Sequence, residues 1–197
     1  TISEFSKFEI VKYLGFSENQ IDAIPLGVDQ RYFQKIPNSE KQLILDQLGI
    51  KKPFFLFIGS IQPRKNLARL LEAHSKLPRS LATQFPLVIA GKVAWDDGKT
   101  LSAINLAVSE GRAQWLHYIS EHQKLCLLQS AIGLTFVSLY EGFGLPITEA
   151  FASELPVITS TCTSMPEVAG NAALLVDPNN TQQITEALEG LIVDSNL

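Results

Sequence analysis

Sulfur, histidine and positive charge are all scarce in this chain. Its two cysteines, Cys126 and Cys162, have no CxxC spacing, and its three histidines, His74, His117 and His122, form neither an HxxxH nor an HExxH pattern. A metal site needs such spacing to bring its ligands together, so none is expected, and the thiols are read as reduced. The 16 Lys and Arg against 20 Asp and Glu give a net charge of -4, which argues against a broad phosphate-backbone binder. Nucleic acid is therefore not an expected partner. Long apolar runs are missing too: PFFLFIG at 53–59 falls far short of the ~20 residues that cross a bilayer. Neither GxGxxG nor GxxxxGK[ST] occurs, since Gly59 is followed by Ser60, Ile61 and Gln62. A dinucleotide fold and a P-loop nucleotidase lose their fingerprints by that absence.

What is present is an apolar fraction of 46% in 197 residues, enough to bury a sizeable core. From Pro53 onward short apolar runs alternate with segments of helical period, the sequence form of βαβ units and a parallel sheet. The strand candidates are PFFLFIG (53–59), PLVIAG (86–91), QWLHYIS (114–120), GLTFVSL (133–139), LPVITS (155–160) and AALLVD (172–177). Helices are predicted over Asn66–Leu77 and Glu121–Ile132, and from Thr181, read as an N-cap, through Leu191. The first fifty residues break this rhythm. TISEFSKFEIVKYLG predicts an amphipathic helix stopped at Gly15, IDAIPLGVD a short strand running into a turn, PNSE (37–40) a turn, and Glu40–Leu48 a short helix.

Ligands of open α/β sheets bind beyond the carboxyl ends of strands. Two such ends carry suitable residues. After PFFLFIG comes SIQPRKN, where Arg64 and Lys65 stand at the entrance to a helix. Cations at the positive end of a helix dipole are mismatched unless an anion sits between them, which points to a phosphate; taken alone, a solvated surface pair fits as well. The second end is EGFGLPITE (141–149), where Gly142 and Gly144 permit close backbone approach and Pro146 starts a helix running to about Ser153. Its free amides suit a diphosphate, and Glu149, one turn in, suits the vicinal hydroxyls of a ribose. Glu141 then points at whatever lies beyond the phosphates. By geometry alone both acids also read as solvated or dipole-stabilising residues.

EGFGLPITE has the E-x7-E form of the family 4 retaining glycosyltransferases, and the stretch from Ser138 to Pro178 resembles that family's signature. GSIQPRKN (59–66), LVIAGK (87–92) and WLHYIS (115–120) resemble its other blocks in order. The resemblance implies one half of a GT-B enzyme, an α/β, Rossmann-like parallel sheet of about six strands with helices on both faces. It implies that residues 1–36 are the end of an N-terminal domain and the interdomain linker, and that 37–197 bind a nucleotide sugar. The acceptor domain, taking a saccharide or lipid-linked acceptor, is expected in a missing N-terminal half.

Carried over residue by residue, the resemblance makes Glu141, Lys65 and Arg64 catalytic, with both cations on the donor diphosphate and Glu141 on the transferred sugar. Gly59, Ser60, Gly91, Gly142, Phe143, Gly144 and Leu145 line the donor, Tyr118 and Ile119 meet the base, and Glu149 the ribose. The substrate is expected to be a UDP- or GDP-sugar, with no cofactor. No metal is expected either: there is no Asp-x-Asp, and the adjacent Asp96 and Asp97 point apart. Ser60 replaces an arginine common in the family, so the second diphosphate cation passes to Arg64 or is lost. His117 and the pair Ser153–Glu154 stand where a glycine and a small pair are usual, changes read as tuning turns. A cytoplasmic enzyme is expected, peripheral at the inner membrane face being compatible, and the isolated donor half is expected to bind more than it transfers. A nucleotide-sugar-binding module, or an epimerase-like GT-B protein without transfer activity, remains the alternative.

Overall fold

The computed structural model describes residues 1–51, 53–95 and 98–193; Asp96 and Asp97, for which divergent side chains were expected, lie outside them. Helix α1 (Glu4–Leu14) and a 3-10 turn (Gln30–Phe33) precede α2 (Asn38–Gln47). There follow β1 (Phe55–Ile58), α3 (Leu67–Ser75), α4 (Arg79–Gln84), β2 (Leu87–Ala90), α5 (Lys99–Ser109), β3 (Ala113–His117) and α6 (Glu121–Leu128). Then come β4 (Gly133–Phe136), α7 (Leu145–Ala152), β5 (Val157–Ser160), α8 (Met165–Ala169), β6 (Leu174–Val176) and α9 (Thr181–Val193). All six predicted strands form, in one sheet of order β3-β2-β1-β4-β5-β6 in which every pairing is parallel. Strands are added in one direction from β1 to β3 and in the other from β4 to β6, so the order reverses between β1 and β4 and a crevice opens beyond their carboxyl ends.

The unbroken apolar strands are explained by burial on both faces. In β1, Phe55 and Phe57 pack with Leu67 and Leu70 of α3, Ile104 of α5 and Leu188 of α9. Leu56 and Ile58 point the other way, with Leu125 of α6, Ile147 of α7 and Met165 of α8. Successive side chains alternate between faces, and each face meets its own layer of helices.

Several expectations are corrected. IDAIPLGVD forms no strand: 21–29 joins no ladder, Ile24 N–H donates to the Thr1 carbonyl at 2.8 Å, Pro25 has no N–H to donate, and the sheet's edges are β3 and β6. The turn at PNSE is absorbed into α2, which begins at Asn38 behind Pro37. Helix α1 forms and ends at Gly15 with φ 74, but no residue of it is buried, and Phe8, Tyr13 and Leu14 are exposed. Strand β3 stops at His117 because that residue turns left-handed at φ 56. Asn180, not Thr181, caps α9, its Oδ1 accepting from the amides of Gln182 and Gln183 at 3.1 and 3.2 Å. Helices α4, α5 and α8 were not expected; α4 and α8 are only six and five residues long, whereas α5 carries Leu101, Ile104 and Val108 at a helical spacing that is legible in the sequence.

Candidate active site

The loops after β1 and β4 face each other across the crevice. Gly59 leaves β1 at φ 151, a conformation that favours glycine. Pro63–Lys65 then make one 3-10 turn into Asn66, itself left-handed at φ 59, before α3 begins. The two loops are tied by their backbones, Leu139 N–H donating to the Arg64 carbonyl at 2.7 Å. Asn66 Nδ2 adds bonds to the carbonyls of Val137 at 3.0 Å and Pro178 at 2.7 Å.

This arrangement brings Arg64, Lys65 and Glu141 together. Lys65 Nζ donates to Glu141 Oε1 at 2.5 Å, and Arg64 Nη1 donates to Glu141 Oε2 at 2.8 Å and to the Tyr140 carbonyl at 2.8 Å. Lys65 and Glu141 are buried, whereas the Arg64 side chain is 40% exposed. Burial lowers the Lys65 ammonium below its ordinary pKa; the Glu141 carboxylate pushes back, and Lys65 Nζ also lies 4.9 Å from the centre of the Phe136 ring. Two cations against one carboxylate leave a net positive charge in a partly desolvated corner, a setting that attracts an anion. Ser60 has a supporting place here: its Oγ accepts from Gln62 Nε2 at 2.8 Å, and Gln62 Oε1 accepts from Arg64 Nε at 3.3 Å.

The glycine-rich turn is held open from outside. Ser164 Oγ lies within donating distance of the Glu141 and Phe143 carbonyls, at 2.9 and 2.8 Å, and Thr163 Oγ1 accepts from the Glu141 amide at 3.2 Å. Ser3 and Ser6 hydroxyls reach the Gly142 carbonyl at 2.7 and 3.0 Å. Gly144, at φ 108, occupies the N-cap of α7 with no side chain over the helix end, so the first amides, Leu145 among them, are uncovered by any cap.

Glu149 sits one turn along α7, buried, with Oε1 accepting from Lys124 Nζ at 2.6 Å. Lys124 and Tyr32 are the site residues that sequence reasoning missed. Lys124 comes from α6, and its ammonium lies 5.3 Å from the ring centre of Tyr32, carried by the Gln30–Phe33 turn. The Tyr32 hydroxyl donates to Glu121 Oε2 at 3.2 Å, and its pKa is raised first by burial and then by the Glu149 and Glu121 charges. These pairings join residues 25 and 89 apart in sequence, so no local spacing announces them. Tyr32, Glu121, Leu145 and Glu149 line a cavity of about 390 Å³ together with residues 27–29 and Arg31. A larger cavity of about 660 Å³ lies at the amino ends of β5 and β6, by Pro156 and Ala173, at the wrong end of the sheet for the crevice.

Gly91, Tyr118 and Ile119 stand apart from both clusters. A Cβ on Gly91 would lie 1.8 Å from the Gly59 carbonyl oxygen, so close packing of β2 against β1 alone demands glycine there. Tyr118 is exposed beyond β3, with Lys92 Nζ 4.7 Å from its ring centre. Ile119 leads into Ser120, the N-cap of α6, so the segment connects to the Glu149 cluster through that helix. Among the described residues no group of three or more His, Cys, Asp or Glu is placed to hold a metal ion, and no helix is long and apolar enough to cross a membrane.

Comparison with known proteins places these features in a family. Residues 40–197 match the model for glycosyl transferases group 1. The chain is 33% identical over 197 residues to the O-antigen chain mannosyltransferase B of Escherichia coli, covering 99% of itself and 51% of that relative. It superposes on Anabaena Alr3699/HepE, solved in complex with UDP and glucose, with a TM-score of 0.84 at 19% identity, covering 98% of this chain and 52% of that one. It also superposes on the C-terminal domain of a glycosyl transferase group 1 family protein, LpcC, from Francisella tularensis, with a TM-score of 0.70 at 25% identity, covering 86% of this chain and 89% of that domain. The chain thus spans about half the length of the first of these relatives.

Proposed function

Because the chain belongs to the glycosyl transferases group 1 family, we propose that its β1/β4 crevice binds a nucleoside-diphosphate sugar and that the protein transfers the sugar to an acceptor. The observation that carries this reading is the cluster of Lys65, Arg64 and Glu141, its lysine and carboxylate buried, on the strand-end loops that lead into the uncapped start of α7. Arg64, Lys65 and the α7 amides bind the diphosphate, and Glu149 takes the ribose. As the bond from the anomeric carbon to the leaving oxygen breaks, negative charge grows on the diphosphate. Fixed donors in a partly dry site stabilise it, each worth about 3 kcal/mol by analogy with single oxyanion-hole donors. Two protein cations supply the charge that a divalent ion would otherwise bring, so transfer is expected to proceed without metal.

Glu141 holds both cations in place until the diphosphate arrives; Arg64 and Lys65 then turn toward phosphate, and the freed carboxylate accepts hydrogen bonds from the transferred sugar. The resemblance of the chain to a mannosyltransferase supports mannose as that sugar; a uridine or guanosine carrier and retained anomeric configuration are expected only from the E-x7-E form of EGFGLPITE. A saccharide acceptor enters from a partner domain, consistent with a chain half as long as its relative. The same fact favours a second reading for this chain alone, a donor-binding module that does not turn over. Turnover by the isolated chain would exclude that second reading; binding without turnover supports it.

Calorimetry with a nucleoside diphosphate and with its sugar tests the division of roles. Glu149→Ala should weaken both ligands about tenfold or more, the loss of a charged hydrogen bond. Glu141→Ala should remove the extra affinity that the sugar confers and leave the diphosphate bound. Equal losses for both ligands in both variants would sink the assignment.

A further inference from the structure

Among the described residues, Glu149 Oε2 is the buried carboxylate oxygen that lacks any hydrogen-bond partner. Its sister oxygen is taken by Lys124 at 2.6 Å, and the nearby Tyr32 hydroxyl, whose pKa the Glu149 carboxylate also raises, donates to Glu121 at 3.2 Å. A buried charged acceptor left unpaired is costly, so such an atom is retained where a ligand completes it. Glu149 lines the 390 Å³ cavity beside Leu145, the first residue of α7, and so lies one helical turn from the proposed diphosphate amides.

Lys124 decides which oxygen is left free. Its side chain is 16% exposed, and its ammonium is confined between the Glu149 carboxylate and the face of the Tyr32 ring. An ion pair held on two sides fixes the carboxylate's rotamer, whereas a Glu149 without it would turn to satisfy both oxygens elsewhere. We propose that Lys124 is a positioning residue of the nucleotide site: by claiming Oε1 of Glu149 it presents Oε2 to a ribose hydroxyl of the donor. This rests on the donor-site reading above and adds to it a residue on α6 that touches no substrate.

The test compares uridine and guanosine diphosphates with their 2′,3′-dideoxy forms by calorimetry. The unsubstituted protein is expected to prefer the ribose form of its diphosphate by about tenfold or more. Lys124→Met, which keeps an apolar stem against Tyr32, should bring that ratio close to one with little change for the dideoxy ligand, and Lys124→Arg should restore the preference. Lys124→Gln, polar and close in length, carries the same expectation should the methionine variant not fold, and melting midpoints identify folded variants. A ribose preference that survives both neutral substitutions overturns the inference, and so does an equal loss of both ligand forms. If the unsubstituted protein binds neither diphosphate, the donor-site reading itself fails; if it binds ribose and dideoxyribose forms alike, the diphosphate reading stands and the inference does not.

Discussion

Lys65 keeps a charge where desolvation opposes it, and the consequence is a pH dependence with a definite sign. Burial pulls its pKa below that of an ordinary lysine, Glu141 opposes that pull, and the neighbouring Arg64 adds to it. A diphosphate needs the ammonium form, so affinity should fall as the pH rises toward and through the lowered pKa, earlier than for an exposed lysine. The contribution of Lys65 to stability runs the opposite way. The unfolded chain holds this proton to higher pH than the folded one, so folding gains from deprotonation between the lowered pKa and the unfolded value. Titrating diphosphate affinity from about pH 7 to about pH 10, a span chosen to approach the ordinary lysine pKa, should therefore show weakening without a parallel loss of melting temperature attributable to this residue. Lys65→Arg, whose charge persists over that range, should flatten the curve. An unchanged slope in that variant would remove Lys65 from the diphosphate site.

At the level of elements, some turns carry strain, two of them where the resemblance expects glycine or a small residue. His117 and Glu154 adopt φ of 56 and 60, and Thr163, which is β-branched, adopts 57. A left-handed residue with a Cβ costs about 1–2 kcal/mol, while glycine costs about 0.5–1 kcal/mol in backbone entropy, so relief of strain wins by a small margin. Glu154 also pairs with Lys35, both side chains well exposed, an interaction worth little. In a Lys35→Ala background, Glu154→Gly should raise unfolding free energy by about 0.5–1 kcal/mol, read by urea denaturation. A loss of stability would mean that this turn is not strained. Thr163 differs because its hydroxyl accepts the Glu141 amide, so its strain is tied to the shape of the site. The same logic explains Gly91, which tolerates no Cβ because β1 approaches it directly.

Across the whole molecule, the segment before α2 is strapped onto the site rather than hanging from it. The Glu167 carboxylate of α8 accepts from the Glu4 and Phe5 amides at 2.9 and 3.2 Å, Ser3 and Ser6 reach Gly142, and Tyr140 bonds Glu9 at 3.0 Å while packing edge-on against Phe5. With no buried residue of its own, α1 depends on these polar ties. Glu167→Ala should remove a cap worth about 1 kcal/mol and speed amide exchange over α1 by about fivefold, leaving β1 protected as before. Equal acceleration in β1 would mean that the segment is part of the core.

The parallel sheet, its six strands and the glycine-rich start of α7 were determined by the sequence itself. Apolar runs buried on both faces, and a turn that only small residues allow, are local properties that spacing records. The pairing of Glu141 with Lys65 and Arg64 was suggested by their places at strand ends, yet their contact depends on strand order, which puts β1 beside β4. Lys124, Tyr32 and the serines holding Gly142 were decided by tertiary structure alone. Their partners lie 25 to 139 residues away, and what gives them meaning is the shared burial of charged and polar atoms that must find one another when water is removed.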